Sequence, residues 1–156
     1  IQIIAVEENI DRMPLLVLCK KLKNKITIKN NYSIMKNLVQ DHMKFNDSMM
    51  NIYSQTDRTH DKILVFGLGI MIWAGIQNSR IHKEKIVSLF DENEFLIGQE
   101  KAGINIRGLD DIAKFKDLPL ILSISPCYIE NVIVKLSKFN ILPIVPQNYQ
   151  YYKKYF

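Results

Sequence analysis

The chain has 156 residues, 47% of them hydrophobic and 24% charged, and carries a net charge of +5. That is the composition of one ordinary globular domain with a sizeable core, and it excludes a disordered chain. Its longest apolar runs fall short of the ~20 residues a membrane helix needs, and two cysteines, Cys19 and Cys127, are too few for a disulfide framework.

Both cysteines are therefore expected as reduced thiols in a cytoplasmic protein with no membrane contact. His42, His60 and His82 are scattered, and no Cys/His pair has metal-ligand spacing. The lysines are dispersed, and the abundance of Ile, Lys, Asn and Tyr reflects A/T-rich codons. The basic charge follows from that bias, so no nucleic-acid partner is expected. The chain opens on Ile1 rather than Met, which we read as a fragment, a processed chain or a piece made for expression.

"IQIIAVEE" alternates weakly and predicts a short strand. "NIDRMPLLVLCKKLKN" predicts a helix, with Asp11 as cap, Pro14 in the first turn and lysines near the end. "KITIKNNY" predicts an extended piece and a turn. Ser33 then caps a long helix reaching about Gln55. Along it Met35, Leu38, His42, Phe45, Met49 and Ile52 recur at steps of three and four. That stripe suits a homodimer seam through helix 33–55, or a helix laid on the domain's own sheet or on a neighbour. "TDRTHD" predicts a polar break.

After it the texture changes. "KILVF" is a strand, "GIMIWAGIQNS" a helix, and "KIVSLFD" a strand. "INI" is a short strand, "GLDDIAKF" a helix, and "LPLILSIS" a strand. "PCYIENVIVKLSKF" is a helix and "ILPIVP" a last strand. Strands alternating with helices predict a parallel sheet covered on both faces. Residues 63–66, 86–90, 120–124 and 142–145 should be neighbouring parallel strands. Right-handed crossovers then predict a Rossmann-like α/β fold with about five strands in the order 3-2-1-4-5 and flanking helices. Residues 91–103, with two glycines and no apolar period, should form a surface loop with no helix longer than a turn. Residues 1–60 form an N-terminal strand and helical connector in this reading, and 61–156 the Rossmann-like domain.

In an open parallel sheet, ligands settle beyond the carboxyl ends of the strands where the strand order reverses. Three segments should converge there: Gly67-Leu68-Gly69, Asp91, and the stretch holding Ser125 and Tyr128. Gly67 permits a backbone conformation closed to residues with a Cβ, and Gly69 lets a phosphate approach the helix N-terminus. Asp91 follows the turn near the ~20-residue distance at which an acid accepts ribose hydroxyl hydrogen bonds. Ser125 and Tyr128 supply hydroxyls on the other rim. The third glycine of the dinucleotide fingerprint is missing, because Ile72 stands in its place. The same residues also suit a bare strand-to-helix turn with Asp91 as a solvated turn residue. A small S-adenosylmethionine-dependent methyltransferase domain is a further alternative. Against it stand Val65-Phe66, where that fold carries an acid, and the few residues left after the fifth strand.

The stretch 62–146 resembles the C-terminal Rossmann-like domain of sugar C-methyltransferases. It is also similar to small nucleotide-sugar-associated domains that precede sugar acyltransferases and dehydratases. "ILVFGLG", "IVSLFDEN", "IGQEKAGINI", "DLPLILSISPCYIENVIVKL" and "ILPIVP" carry the resemblance. It implies a nucleotide or nucleotide-sugar binding part of a methyltransferase acting on a nucleotide-linked sugar. This chain would hold no complete catalytic site and no cofactor of its own, with S-adenosylmethionine bound in an absent neighbouring domain. Gly67, Gly69 and Asp91 carry over. Ile70-Met71-Ile72-Trp73 departs from the family's Ala-Lys-Gly-like run, and Ser125-Pro126 from its Trp-Asn pair. The competing class is a non-catalytic dimerisation or interaction module with a degenerate site.

Overall fold

The structure is a computed structural model and describes residues 31–155. The predicted strand 1–8, the predicted helix 9–24 with Cys19, and most of the segment 25–32 lie outside the described residues. Five strands form one sheet: β1 Ile63–Phe66, β2 Ile86–Phe90, β3 Glu100–Lys101, β4 Ile104–Arg107 and β5 Leu120–Leu122. Their spatial order is β3-β4-β2-β1-β5. The β4-β2-β1-β5 set is parallel throughout, with Phe66 level with both Phe90 and Leu122. The fold is the Rossmann-like α/β arrangement expected from the alternation, preceded by a long helix.

The reason lies in the strand composition. β1 and β5 are apolar at every position and buried at every position, as strands covered on both faces must be. The sheet differs from expectation at its two edges. The fifth strand, expected over 142–145, is a single parallel bridge between Ile144 and Ile121. Ile144 faces β5 with both its N–H and its carbonyl, so the next donor toward β5 would be residue 146, and Pro146 has no N–H to give. At the other edge the loop 91–103 has no helix, but its end forms β3, antiparallel to β4. A two-residue turn closes this hairpin, with Ala102 and Gly103 both at positive φ. That is the backbone of a tight primed turn, written here without the Asn-Gly pair that usually announces it.

Among the described residues, three α-helices accompany the sheet: α1 Asn31–Thr59, α2 Ile70–Gln77 and α3 Ile129–Ser137. Expected helix "GLDDIAKF" is a 3-10 helix, Leu109–Phe115, and a 3-10 turn, Pro126–Tyr128, leads into α3. Helix α1 outruns its predicted bounds at both ends. Asn31 and Tyr32 are already helical, and the polar break "TDRT" is its last turn. Thr59 Oγ1 donates back to the carbonyl of Gln55. Asp57, 7% exposed, is held from outside the helix. Its carboxylate accepts the backbone N–H of His82 and faces His82 Nδ1, both at 2.8 Å, and Lys85 lies beside it. Burial alone would raise that carboxyl's pKa. The hydrogen bonds from His82, with the charges of His82 and Lys85, hold it below 3.8 instead.

The apolar stripe of α1 is divided. Phe45, Met49 and Tyr53 are sealed in the core, while Met35, Val39 and Met43 are more than two-fifths exposed. Leu38 and Ile52 are half-buried, and His42 lies on the open side. Partial burial lowers the pKa of His42. The stripe is thus buried within the chain only from Phe45 onward, and it continues to Tyr53 rather than Ile52.

Candidate functional site

The carboxyl ends of β2, β1 and β5 lie side by side, and the chain leaving each one enters a predicted segment. Gly67 follows β1 directly. Its N–H donates to the carbonyl of Phe90 on β2 at 2.8 Å, and the N–H of Ser123 donates to Phe66 at 2.8 Å. At φ +101 Gly67 occupies a region closed to most side chains. A Cβ there would lie 2.4 Å from Ile124 Cγ2 and 2.6 Å from the Ser123 carbonyl oxygen. The turn therefore needs glycine at 67 for its own fold.

Gly69 differs. It sits at φ −67 as the N-cap of α2, with no side-chain capping bond. A Cβ there would find only the Ser123 carbonyl oxygen, at an ordinary 3.8 Å. Among the described residues nothing in the packing demands glycine at 69. Gly69 and Ile70, at the N-terminus of α2, are exposed. Between the glycines, Leu68 is half-buried, and its carbonyl accepts the indole N–H of Trp73 at 3.1 Å.

Asp91 stands at the end of β2, its N–H bonded to the carbonyl of Arg107 on β4. Its Oδ1 accepts the N–H of Asn93, and Asn93 Oδ1 accepts the N–H of Phe95. Two successive side-chain turns thus shape the loop after β2. Lys135 of α3 reaches Glu92 in this loop at 2.6 Å. The pair ties together the segments that follow the two strands flanking β1. On the β5 side, Ser125 Oγ lies 3.2 Å from Cys127 Sγ, a free thiol. Tyr128 is 61% exposed and donates its N–H to the Ser125 carbonyl.

All six predicted residues thus leave the same edge of the sheet. The side-chain partners of Asp91 and Ser125 are local. Three large apolar side chains are also strongly exposed on the segments leaving these strand ends: Ile70, Phe95 and Tyr128. The first two escaped the sequence reading, as did the layer beneath the turn. Ile72, in the place of the third glycine, is fully buried. The close backbone approach in α2 comes instead at Gly75, where a Cβ would lie 2.6 Å from the Tyr53 ring. Tyr53 Oη shares a buried 2.5 Å hydrogen bond with Ser123 Oγ.

Among the described residues, no group of three or more His, Cys, Asp or Glu is placed to hold a metal ion. Nor is any helix among them long and apolar enough to cross a membrane.

No protein-family model matches the chain, and no curated protein sequence matches it. Among solved structures, it is similar to RSP, a Rex-family repressor. The identity is 16%, the TM-score 0.42, and the likeness covers 57% of this chain and 50% of that one. RSP in complex with β-NADH matches at 19% identity with the same TM-score and coverage. UDP-D-quinovosamine 4-dehydrogenase from Vibrio fischeri matches at 19% identity and TM-score 0.42, over 61% of this chain and 86% of that one. The chain spans about half the length of the repressor chains it matches.

Proposed function

We propose that the chain binds a nucleotide or nucleoside diphosphate sugar at the carboxyl edge of its sheet, as the nucleotide-sugar-binding part of a sugar-modifying enzyme of C-methyltransferase type. Residues 61–156 are the Rossmann-like binding domain in this proposal, and residues 1–60 connect it to a catalytic neighbour that would hold S-adenosylmethionine. The observation that carries the reading is the contrast between the two glycines. Gly67 is required by the turn itself, whereas the described residues do not require glycine at Gly69, the exposed N-cap of α2. Unpaired N–H groups and the helix dipole at such an end favour a phosphate. Asp91 then accepts a ribose hydroxyl through the carboxylate oxygen its Asx turn leaves over. Ile70, Phe95 and Tyr128 offer apolar and aromatic faces to a base or sugar ring.

Calorimetric titration with nucleoside diphosphates, their sugars and dinucleotides tests this. Gly69→Val should abolish binding while leaving the fold intact, because extended backbone accepts valine. Asp91→Asn keeps the turn to Asn93 and should weaken binding by about 1–3 kcal/mol. No heat at millimolar ligand, with the protein demonstrably folded, refutes the reading.

One observation favours the second reading, an interaction module. The N-terminal half of α1 leaves Met35, Val39 and Met43 open. A homodimer through helix 33–55 would cover them, and sedimentation of the wild type against Met43→Lys decides it. A wild type that sediments as a monomer speaks against the seam.

A further inference from the structure

Tyr53 reaches the glycine turn from a helix that the turn itself never touches in sequence. Its ring lies against the backbone of α2 at Gly75, where a Cβ would stand 2.6 Å from Cδ2 and 2.8 Å from Cε2. Its hydroxyl meets Ser123 Oγ at 2.5 Å, and both residues are nearly or fully buried. Ser123 in turn borders the turn, closely at Gly67. Its carbonyl oxygen lies 2.6 Å from the Cβ position of Gly67 and 3.8 Å from that of Gly69. Its N–H holds the last carbonyl of β1, that of Phe66. One side chain thus contacts the helix on which the turn ends and, through one residue, the turn itself. Burial pushes the phenol's ionisation well up, so the group stays a neutral hydrogen-bonding partner.

We propose that Tyr53 is a positioning residue for the glycine turn. Clamped between Gly75 and Ser123, it fixes the turn 67–69 against the first turn of α2, and so sets how well that helix end receives an anion. The ligand half of this proposal rests on the nucleotide reading above, and the backbone half does not. A merely structural Tyr53 would lower global stability and leave the turn no worse than any other part of the sheet. A positioning Tyr53 acts on the turn selectively.

Tyr53→Phe removes only the hydroxyl and leaves the ring on Gly75. Amide hydrogen exchange under native conditions is the first measurement. The reporters are the N–H groups of Gly67 and Ser123, bonded to Phe90 and Phe66, and the control is the N–H of Ile106, bonded to Gln99. Exchange at Gly67 and Ser123 should rise at least tenfold more than at Ile106. An equal rise at all three, or none, overturns the proposal. Should Tyr53→Phe fail to fold, Ser123→Ala breaks the same bond from the other side and is read in the same way.

The second measurement is the affinity for uridine diphosphate. Tyr53→Phe and Ser123→Ala should each weaken it at least fivefold, and the double variant should be no weaker than the weaker single one. Additive losses, or unchanged affinity in a folded Tyr53→Phe, overturn the proposal. If the wild type binds no nucleotide in the panel, the nucleotide reading fails. The exchange result then still decides the role of Tyr53 by itself.

Discussion

Replacing Gly67 by alanine puts the fold of the turn to the test, with Gly69→Ala as its control. At φ +101 an L-residue is strained, by about 1–2 kcal/mol for a left-handed conformation. The new methyl also meets two obstacles of different kinds. Ile124 Cγ2, at 2.4 Å, is the end of a side chain and can turn away. The carbonyl oxygen of Ser123, at 2.6 Å, cannot. Its residue is fixed by the N–H bond to Phe66 and by the hydroxyl bond to Tyr53. Overpacking against such a group costs about 1–3 kcal/mol more. The sum, roughly 2–5 kcal/mol, is a large share of the ~5–15 kcal/mol by which domains are stable. With an m-value of about 1–3 kcal/mol/M, the urea midpoint followed by circular dichroism should fall by about 0.7–5 M. Gly69→Ala meets only a 3.8 Å contact at φ −67. There the entropic gain of losing a glycine roughly offsets the loss of a preferred cap residue, so its midpoint should stay close to wild type. A loss below about 0.5 kcal/mol for Gly67→Ala, the range of an ordinary surface change, refutes the reasoning, as does an equal loss for the two variants.

Gly75→Ala should destabilise by about 1–3 kcal/mol, because its methyl enters the Tyr53 ring. In an open helix the same change would stabilise by about 1 kcal/mol, so the direction of the melting-temperature shift decides. Phe45→Ala should cost about 3–5 kcal/mol and Met35→Ala less than about 0.5 kcal/mol, since Phe45 is 1% and Met35 42% exposed. Chemical denaturation of the monomer at low concentration checks the contrast. Asp57→Asn should cost about 1–3 kcal/mol at pH 7. The carboxyl's folded pKa lies below 3.8, so its contribution is fully present above that value. It is lost as pH falls through the lower folded one. Stability curves of wild type and variant should therefore converge in acid, and a gap that stays constant down to pH 2 contradicts the assignment.

The central sheet was legible because β1, β2 and β5 are buried strands, and such strands must be apolar nearly throughout. Its edges were not, because each turns on single residues. Pro146 stops the last strand after one bridge, and an Ala-Gly turn hid the β3–β4 hairpin. Helix α1 misled at both ends for different reasons. Steps of three and four made Ile52 the natural successor of Met49, yet the buried row runs Phe45, Met49, Tyr53 and Asp57, each four residues on. That row ends in a carboxylate, which reads as a break in sequence and is a buried anchor in space. The partners that make it one, His82 and Lys85, lie beyond β1 and α2, where no local pattern connects them to α1.

The missing third glycine has a structural counterpart. In a dinucleotide fingerprint that glycine brings the helix close to its strand. Here Ile72 stands in that place and is fully buried. The close approach occurs one helical turn later, at Gly75, and toward Tyr53 of α1 rather than toward the sheet. A glycine three residues on is a different device. It couples the position of α2 to a helix outside the strand-turn-helix unit. The open end of α2 is the candidate phosphate site, and it is then held from behind by α1 through Tyr53 and Ser123. The sequence "KILVFGLGIMIWAG" thus keeps the turn and the helix end of the motif, and moves its packing glycine to where a second helix can act on it.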